Sequence, residues 1–439
     1  MPAGRPTVFL DVSRLLSRAG RENATGIDRV ELAYVRRLLA ADLDTRLVAV
    51  GRTAVRVVDK ARALAAIGRL DRHWSGVPAA DAPLEPRLAR FLAGAPAEPH
   101  LPPPAPGLAR RLWTDLALSG ADPDAAAIRR ALALGRGPTV SEAARAAGPA
   151  VYLNVSHHHL EKPWVLRSLG GLRRTVFVHD VIPIDFPEFS RAGDADKHRR
   201  RMASVAADAD LVLVNSAHTR DRVGAVLSGL GRAAGGIAVA PLGIDLAPLA
   251  AAGVPPTAAH PYFLAVGTIE ARKNHLTLLA AWRMLVARHG PAAPRLVVVG
   301  RRGWEVEQVI DSLERSDLLR PVVCEAGPVD DAALRRLIAG ARALLMPSLA
   351  EGFGLPVAEA LAAGVPVLAS DIPAHREVGA GVPDFLDPLD TAAWAGAVEL
   401  YATPDAPARR AQLSRLAGWR PPTWEAHFAA VASLLKLPI

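Results

Sequence analysis

Cysteine and aromatic residues are scarce in this chain of 439 residues. The single cysteine, Cys324, excludes an internal disulfide and fits a reducing compartment. Aromatic residues make up 5% of the chain and no helix-turn-helix or zinc motif is present, so nucleic acid is not an expected partner. No apolar run approaches the roughly 18 residues of a membrane span, and residues 1–16 lack the apolar core of a signal peptide. We therefore expect a cytoplasmic protein, or one bound peripherally at the inner membrane surface.

The charge of the chain is uneven. Its formal net charge is +8, and residues 1–250 carry 34 Lys and Arg against 25 Asp and Glu, whereas residues 251–439 carry 18 against 19. An anionic membrane surface or a phosphate-bearing acceptor would suit the basic first half. A preference for Arg and simple solubility explain the same excess without any partner.

Short runs of Val and Leu alternate with helical stretches on both sides of a small-residue linker at 251–257. Runs of this kind, bounded by Gly, Pro or Asn, predict buried parallel strands joined by helical crossovers. We expect an α/β protein of two Rossmann-like, doubly wound domains that face a cleft, with ligands at the carboxyl ends of the strands. The predicted strands are residues 7–12, 47–50, 151–155, 175–178 and 211–214 in the first half, and 262–266, 296–299, 343–346 and 367–369 in the second.

Two loops of the second half look like ligand-binding loops. In the stretch from Pro347 to Ala360, two carboxylates, Glu351 and Glu359, stand on either side of a glycine-bracketed turn that leads into a helix. Carboxylates there accept hydrogen bonds from hydroxyls of sugars and ribose, and the amides of residues 353–355 suit an anion at the helix N-terminus. An ordinary strand-to-helix turn is the alternative for these residues taken alone.

The other loop, residues 267–274, also follows an apolar strand and precedes a predicted helix at 275–289. Its adjacent Arg272 and Lys273 offer a planar guanidinium, which can bind two oxygens at once, and a compact ammonium charge. This combination suits a diphosphate. The chain has only five lysines, so a lysine at this position favours that interpretation slightly. A solvated basic pair near a helix start is the alternative.

Together with residues 363–371, these loops resemble the donor-binding half of the retaining, nucleotide-sugar-dependent glycosyltransferases of the group 1 (family four) type, which have the GT-B fold. The resemblance covers about 267–380 and is looser before it. It implies an acceptor-binding N-terminal domain at 1–250, a donor-binding domain at 258–420, and a helix at 421–439 that packs back on the first domain. Residues 52–150 are expected to form a variable helical insertion that shapes the acceptor side.

The resemblance also assigns roles to individual residues. It implies catalytic roles for His179, Arg272, Lys273 and Glu351, with the two cations on the diphosphate, Glu351 on the sugar hydroxyls and His179 on a sugar hydroxyl or the charge at C1. The residues expected to bind the nucleotide sugar are Gly26, Gly267, Thr268, Val329, Phe353, Gly354, Leu355 and Glu359. Glu359 is expected on the ribose and Val329 at the nucleobase. Gly26 stands in a shortened form of the family's Gly-rich loop, so its contact is expected to be partial.

No metal site is expected. The histidine run 157–159 cannot direct three side chains at one ion from a regular strand, and no Cys or carboxylate cluster joins it. The Asp-X-Asp pairs 194–196 and 208–210 match a metal-binding pattern of a different glycosyltransferase class, but we interpret both as structural. The diphosphate would then be neutralised by Arg272, Lys273 and helix N-termini, and no cofactor is expected because the nucleotide sugar is a substrate.

The sequence thus predicts a metal-independent hexosyltransferase that moves a mannose- or glucose-like sugar, with retention, to a hydroxyl of a glycan or lipid-linked acceptor in cell-surface polysaccharide biosynthesis. Two alternatives stay open. One is a nucleotide-sugar epimerase of the same fold, which would interconvert the donor without an acceptor. The other is a noncatalytic module that binds sugar nucleotides or an anionic surface, which would show no donor hydrolysis.

Overall fold

The computed structural model describes residues 5–21, 24–75, 84–99, 122–232, 236–245, 258–403 and 405–439. The expected linker at 251–257 and the proline-rich residues 101–104 lie outside these ranges. The chain forms two largely parallel sheets, one in each half. The boundaries of the domains stay a prediction.

The first sheet has seven strands in the order β3-β2-β1-β4-β5-β6-β7, and all neighbours are parallel except β2 and β3. Its central strands are continuous apolar runs that are buried along their length, as parallel strands covered by helices on both faces must be. The strands are β1 Thr7–Asp11, β2 Asp44–Val50, β3 Val55–Val57, β4 Ala150–Asn154, β5 Arg173–Val178, β6 Leu211–Val214 and β7 Ile237–Val239.

The second sheet has six parallel strands in the order β10-β9-β8-β11-β12-β13. The strands are β8 Tyr262–Val266, β9 Arg295–Val299, β10 Val323–Gly327, β11 Leu344–Met346, β12 Val367–Ser370 and β13 Asp384–Leu386. The order changes direction at β8 in this sheet and at β1 in the first, so each sheet has a crevice at the carboxyl ends of its central strands. The two doubly wound sheets confirm the predicted fold class.

Helices cover both sheets. Those of the first half are α1 Ser13–Ser17, α2 Gly26–Ala40, α3 Lys60–Ser75, α4 Pro86–Leu92, α5 Pro123–Ala133, α6 Val140–Arg145, α7 Trp164–Arg167, α8 Ile182–Asp185, α9 Asp194–Asp208 and α10 Ala217–Gly229. Those of the second half are α11 His275–His289, α12 Glu307–Arg315, α13 Asp331–Gly340, α14 Leu355–Ala362, α15 Pro373–Gly379, α16 Thr391–Ala402, α17 Pro407–Leu416 and α18 Trp424–Leu435. Short 3₁₀ turns lie at Pro187–Phe189, Ala271–Lys273 and Gly290–Ala292. No helix in the described ranges is long and apolar enough to span a membrane.

The segment 52–150 divides its packing between the two sheets. Its strand β3 joins the edge of the first sheet, whereas helix α4 lies against the second sheet. The guanidinium of Arg295, on β9, is buried and donates to the carbonyls of Phe91 (2.6 Å), Gly94 (2.7 Å) and Ala95 (2.8 Å) at the end of α4. A cation at a helix C-terminus also interacts favourably with the helix dipole. The first half is therefore anchored to the second through this segment.

The last helix crosses back to the first half, as predicted. His427, on α18, accepts a hydrogen bond from the hydroxyl of Tyr34 at Nε2 (2.9 Å) and donates from Nδ1 to the carbonyl of Pro241 (2.9 Å). The chain before this helix passes so close to Gly243 that a Cβ there would lie 2.2 Å from the amide nitrogen of Trp424. Packing between α18 and the first half therefore depends on a glycine at this position.

Candidate functional site

The glycine-bracketed loop after β11 brings the two halves of the chain into contact. A Cβ on Gly352 would lie 2.6 Å from the backbone oxygen of His179, which belongs to the first half. Gly354 has φ of 96°, a left-handed conformation that glycine adopts without strain, and the helix α14 starts at the next residue. The side chains of Ser216 and Thr219, at the start of α10, donate to the carbonyl of Gly352 at 3.0 Å each. The loop is therefore held from both sides.

Glu351 contacts both cations that were predicted to bind the diphosphate. Arg272 donates from Nη1 to Glu351 Oε2 (2.7 Å), and the Lys273 ammonium pairs with Oε1, which also accepts from the Ser348 hydroxyl (2.7 Å). Glu270 is a second partner of Arg272 at 2.6 Å. Burial alone would raise the pKa of the Glu351 carboxyl. Lys273 and Arg272 outweigh burial and hold this pKa far below its usual range. The three groups form a compact, ionised cluster.

The cluster depends on the 267–274 loop for its geometry. Gly267 has φ of 147°, and a Cβ there would lie 3.3 Å from Cε of Lys273, so a larger residue would crowd the lysine stem. Lys273 itself is 9% exposed, and burial lowers the pKa of its ammonium although Glu351 opposes that shift. The loop ends at Asn274, whose amide donates to the carbonyls of Pro347 (3.1 Å) and Pro388 (2.8 Å). The two predicted ligand loops are therefore joined by direct hydrogen bonds.

His179 follows β5 and faces the same region from the first half. Its Nε2 lies 2.8 Å from the carbonyl of Val155, and a carbonyl can only accept, so Nε2 carries the proton. Burial lowers the pKa of His179 to about 4, so the ring is neutral at pH 7 and its Nδ1 is a hydrogen-bond acceptor. The carboxylate of the next residue, Asp180, accepts from the amide of Ile182 at 3.1 Å. The backbone of Val155 therefore orients His179.

The first-half loop before α2 completes the wall opposite the donor loops. Thr25 and Asp28 form a capping box at the start of α2, and Asp28 also binds Arg14 at 2.7 Å. A Cβ on Gly26 would lie 3.4 Å from Cδ1 of Leu355, so the two loops are in near contact across the halves. A Cβ at this position would therefore make a van der Waals contact with the donor loop.

A single cleft of about 520 Å³ collects the predicted site. All twelve predicted site residues line it, namely Gly26, His179, Gly267, Thr268, Arg272, Lys273, Val329, Glu351, Phe353, Gly354, Leu355 and Glu359. Arg272, Lys273 and Glu359 therefore converge on one space, as binding of a nucleotide sugar requires. Their individual roles stay predictions.

Several residues of the cleft were not predicted from the sequence as site residues. They include Arg14, Arg29, Asn215, Arg301 and Asp331. Arg29 stands in the stretch that contains Gly26, so that stretch already held the signal. Asp331 and Asn215 have no local motif to distinguish them and could be found only from the folded structure.

The histidine run and the Asp-X-Asp pairs lie outside the predicted site. His157 packs edge-to-face against His179, with ring centroids 5.7 Å apart. Arg174 binds Asp210 at 3.0 Å, and Asp196 pairs with Arg199 on the surface. No group of three His, Cys, Asp or Glu side chains with metal-binding geometry occurs in the described ranges.

A second cavity of about 510 Å³ shares Asp180, Glu351 and Gly352 with the first. Its wall on the first half includes Phe186, which is 38% exposed and stacks on Phe189 with ring centroids 5.6 Å apart. Asp185 lies in the same wall, and its carboxylate binds Arg222 through two hydrogen bonds. The two cavities therefore meet at Glu351.

Comparison with known proteins finds one family model and several relatives, each of which matches part of the chain. The model of the family "Glycosyl transferases group 1" matches residues 260–403. Over 121 residues, or 28% of this chain and 15% of the relative, the chain is 39% identical to "Serotype-specific mannosyltransferase WbdA" of Escherichia coli. It is 38% identical to "O-antigen chain mannosyltransferase B" of Escherichia coli over 132 residues, which cover 29% of this chain and 33% of the relative. These matches support a group 1 glycosyltransferase over residues 260–403, and the chain spans a third or less of the length of these relatives.

Solved structures support the GT-B fold. The structure of Anabaena Alr3699/HepE in complex with UDP aligns over 98% of this chain and all of its own length, with a TM-score of 0.59 and 15% identity. An alpha,alpha-trehalose-phosphate synthase (UDP-forming) from Burkholderia vietnamiensis aligns over 67% of this chain and 73% of its own, with a TM-score of 0.52 and 14% identity. At these identities the likeness shows the fold alone. The fold is GT-B, with two Rossmann-like domains around a cleft.

Proposed function

We propose that this protein transfers a hexose from a nucleoside diphosphate sugar to a hydroxyl of a glycan or lipid-linked acceptor, with retention at the anomeric carbon. The observation that carries the proposal is the convergence of Arg272, Lys273 and Glu351 with Glu359 in one cleft between the halves. A nucleotide sugar needs cations for its diphosphate and carboxylates for its ribose and sugar hydroxyls, and the cleft supplies both.

The two cations would stabilise the departing diphosphate. Negative charge grows on the leaving group in the transition state, and fixed donors aimed at that charge lower the barrier most. The donor would take over contacts that Glu351 now makes with Arg272 and Lys273, which would release this carboxylate toward the sugar hydroxyls. Donor binding would therefore replace the Glu351 carboxylate by the diphosphate as the partner of Arg272 and Lys273.

Retention would follow from attack on the face that the diphosphate leaves. Glu351 is engaged by two cations and Ser348, which makes it a poor nucleophile. In same-face attack the departing phosphate helps to accept the proton of the acceptor hydroxyl. The neutral ring of His179 would accept a hydrogen bond from a sugar hydroxyl through Nδ1. The diphosphate charge would be met by side chains and loop amides, so no metal would be required.

The sugar is proposed to be mannose, with glucose as the nearest alternative, because the similar relatives are named as mannosyltransferases. Two of these relatives are named as O-antigen chain mannosyltransferases, so we propose a cytoplasmic role in cell-surface polysaccharide biosynthesis. The acceptor would lie in the second cavity. Carboxylates and an exposed aromatic ring such as Phe186 suit a sugar, and the cavity borders Glu351.

The decisive experiment is a screen of donor hydrolysis and transfer with GDP-, UDP-, ADP- and dTDP-sugars. We expect GDP-mannose or a related hexose donor to be consumed slowly without an acceptor and faster with mannosides. Proton NMR of the product would show a retained anomeric configuration, and excess EDTA would leave the rate unchanged. Interconversion of the donor sugar would instead identify an epimerase, and binding of donors without any turnover would identify a noncatalytic module.

Peripheral membrane contact through the basic first half is part of the same proposal. Its net charge of +9 would favour anionic lipid, at about 1 kcal/mol for each basic residue near the surface. Sedimentation with vesicles of phosphatidylglycerol and phosphatidylcholine tests this. Binding should rise with the anionic fraction and fall with salt. Equal recovery with neutral vesicles would argue against it.

A further inference from the structure

An ion pair joins the two halves at one end of the donor cleft. Arg29, in the second turn of α2, places Nη2 2.5 Å from Oδ1 of Asp331, the first residue of α13. The two residues are 302 positions apart in sequence and belong to different sheets. Both line the cleft, so the pair forms part of its wall.

Glu359, the predicted ribose-binding carboxylate, lines the same cleft as this pair. Within the described ranges, the Glu359 side chain has no ion pair or hydrogen bond of its own. The charged groups that act on it are Arg29 from α2, Asp331 and Arg335 from α13, and Asp245 from the segment after β7. Among these, Arg29 is the cation contributed by the opposite half.

We propose that Arg29 is a positioning residue for the donor: it reaches across the cleft and binds Asp331 in the wall that also carries Glu359, the carboxylate expected to accept the ribose hydroxyls. The ligand part of this inference rests on the proposed function. Because the arginine belongs to one half and both carboxylates to the other, its effect requires the two halves to be closed on each other. Arg29 would thus make the donor grip of the second half dependent on the first.

The electrostatic balance around Glu359 gives this role a physical reason. Burial raises the pKa of Glu359, Asp331 and Asp245 raise it further, and Arg29 lowers it. A protonated carboxyl accepts hydrogen bonds less well and cannot offer a charge-assisted bond to both ribose hydroxyls. Without Arg29, the charged groups that act on Glu359 would be Asp331, Asp245 and the single cation Arg335, a balance that favours protonation of Glu359.

Two substitutions break the same ion pair and change the local charge in opposite directions. Arg29→Gln removes the cation, so the pKa of Glu359 should rise relative to wild type. Asp331→Asn removes a neighbouring anion and leaves Arg29 in place, so the pKa of Glu359 should fall. A purely structural link between the halves would respond to both variants in the same way. Arg36→Gln is the matched control, because Arg36 lies on the same helix and forms a 2.5 Å pair with Asp71 within the first half.

The test is a titration of the Glu359 carboxyl in the full chain without ligand. ¹³C NMR of protein labelled at the glutamate carboxyls would follow it, with Glu359→Gln identifying the resonance. We expect opposite shifts for Arg29→Gln and Asp331→Asn and none for Arg36→Gln. Shifts of the same sign, or no shift in Arg29→Gln, would overturn the inference.

Donor kinetics provide the second measurement. With the best donor of the screen, KM for Arg29→Gln should rise as pH falls, by about tenfold for each unit by which the Glu359 pKa has moved up. In Asp331→Asn, the rise of KM at acidic pH should begin at a lower pH than in wild type. In both variants kcat should change less than KM. An absence of turnover in wild type would contradict the proposed function but leave the titration result intact, so the two failures are distinguishable.

Discussion

Lys273→Ala tests the diphosphate site most directly. The ammonium is buried against Glu351 and lies next to Arg272, in the part of the cleft assigned to the departing diphosphate. Removing one preorganised donor of this kind lowers kcat by about 10²–10³-fold. We therefore expect donor hydrolysis to fall by that factor, with Arg272 supplying the remaining activity.

The same substitution should also lower stability. Breaking a fully buried ion pair costs about 3–5 kcal/mol when the partner is left without compensation. Here Glu351 keeps Arg272 and the hydroxyl of Ser348, so the cost should be nearer to that of one unsatisfied buried contact, about 1–3 kcal/mol. This loss of stability follows from the burial of the lysine, which only the folded structure shows.

The assay combines coupled detection of released nucleoside diphosphate with urea unfolding followed by circular dichroism. Lys60→Ala, at an exposed position at the start of α3, serves as the control and should match wild type in both. Lys273→Met would restore part of the packing without restoring the charge. A Lys273→Ala enzyme with near-wild-type turnover would refute the diphosphate role. A fall in turnover that Lys273→Met fully reverses would show that packing, and not charge, is what the lysine supplies.

Three further predictions follow from the structure. Arg295→Ala should lower the free energy of unfolding by about 2–4 kcal/mol, because three backbone carbonyls lose a charged donor. Urea denaturation measures this change, and an unchanged free energy of unfolding would contradict the anchoring of α4. Gly352→Ala should lower turnover about 10²-fold, because its Cβ would meet the His179 carbonyl, whereas Gly148→Ala, with no atom within 4 Å, should not. Burial lowers the pKa of His179 and His427 to about 4, below the value of about 6.5 in the unfolded chain. The free energy of unfolding should therefore be highest above pH 6.5 and decline toward pH 4, by up to about 1.4 kcal/mol per pH unit for each ring. A melting temperature that stays constant over this pH range would contradict the prediction.

Sequence patterns predicted the centre of each sheet better than its edges. All nine predicted strands are present with ends shifted by at most three residues, because each is buried on both faces and therefore has a continuous apolar sequence. The four strands that were not predicted are β3, β7, β10 and β13, which are the four edges of the two sheets. Edge strands are short and have mixed composition, so they lack the run of Val and Leu that marks a central strand.

In the cleft, likewise, features that lie close together in the sequence were predicted, and contacts between distant residues were not. The two ligand loops were found because glycine, adjacent cations and spaced carboxylates fall within a few residues of each other. Other contacts in the cleft join residues that are far apart in sequence: the Val155 carbonyl binds His179, and Arg29 reaches Asp331 from 302 positions away. Such pairings depend on how the halves close, and no local pattern encodes that.

The contacts between the halves converge on the same elements that would bind the donor. Gly352 is held by Ser216 and Thr219, and Glu377, on α15, accepts from the amides of Ala217 and His218 at the start of α10. An acidic side chain at a helix N-terminus is favourable, so this contact also stabilises α10. A motion that opened the cleft would therefore break hydrogen bonds made directly by the loop that carries Glu351. Closure of the cleft and the position of Glu351 are therefore coupled. A donor that binds the closed cleft more tightly must also favour the position that Glu351 takes in it.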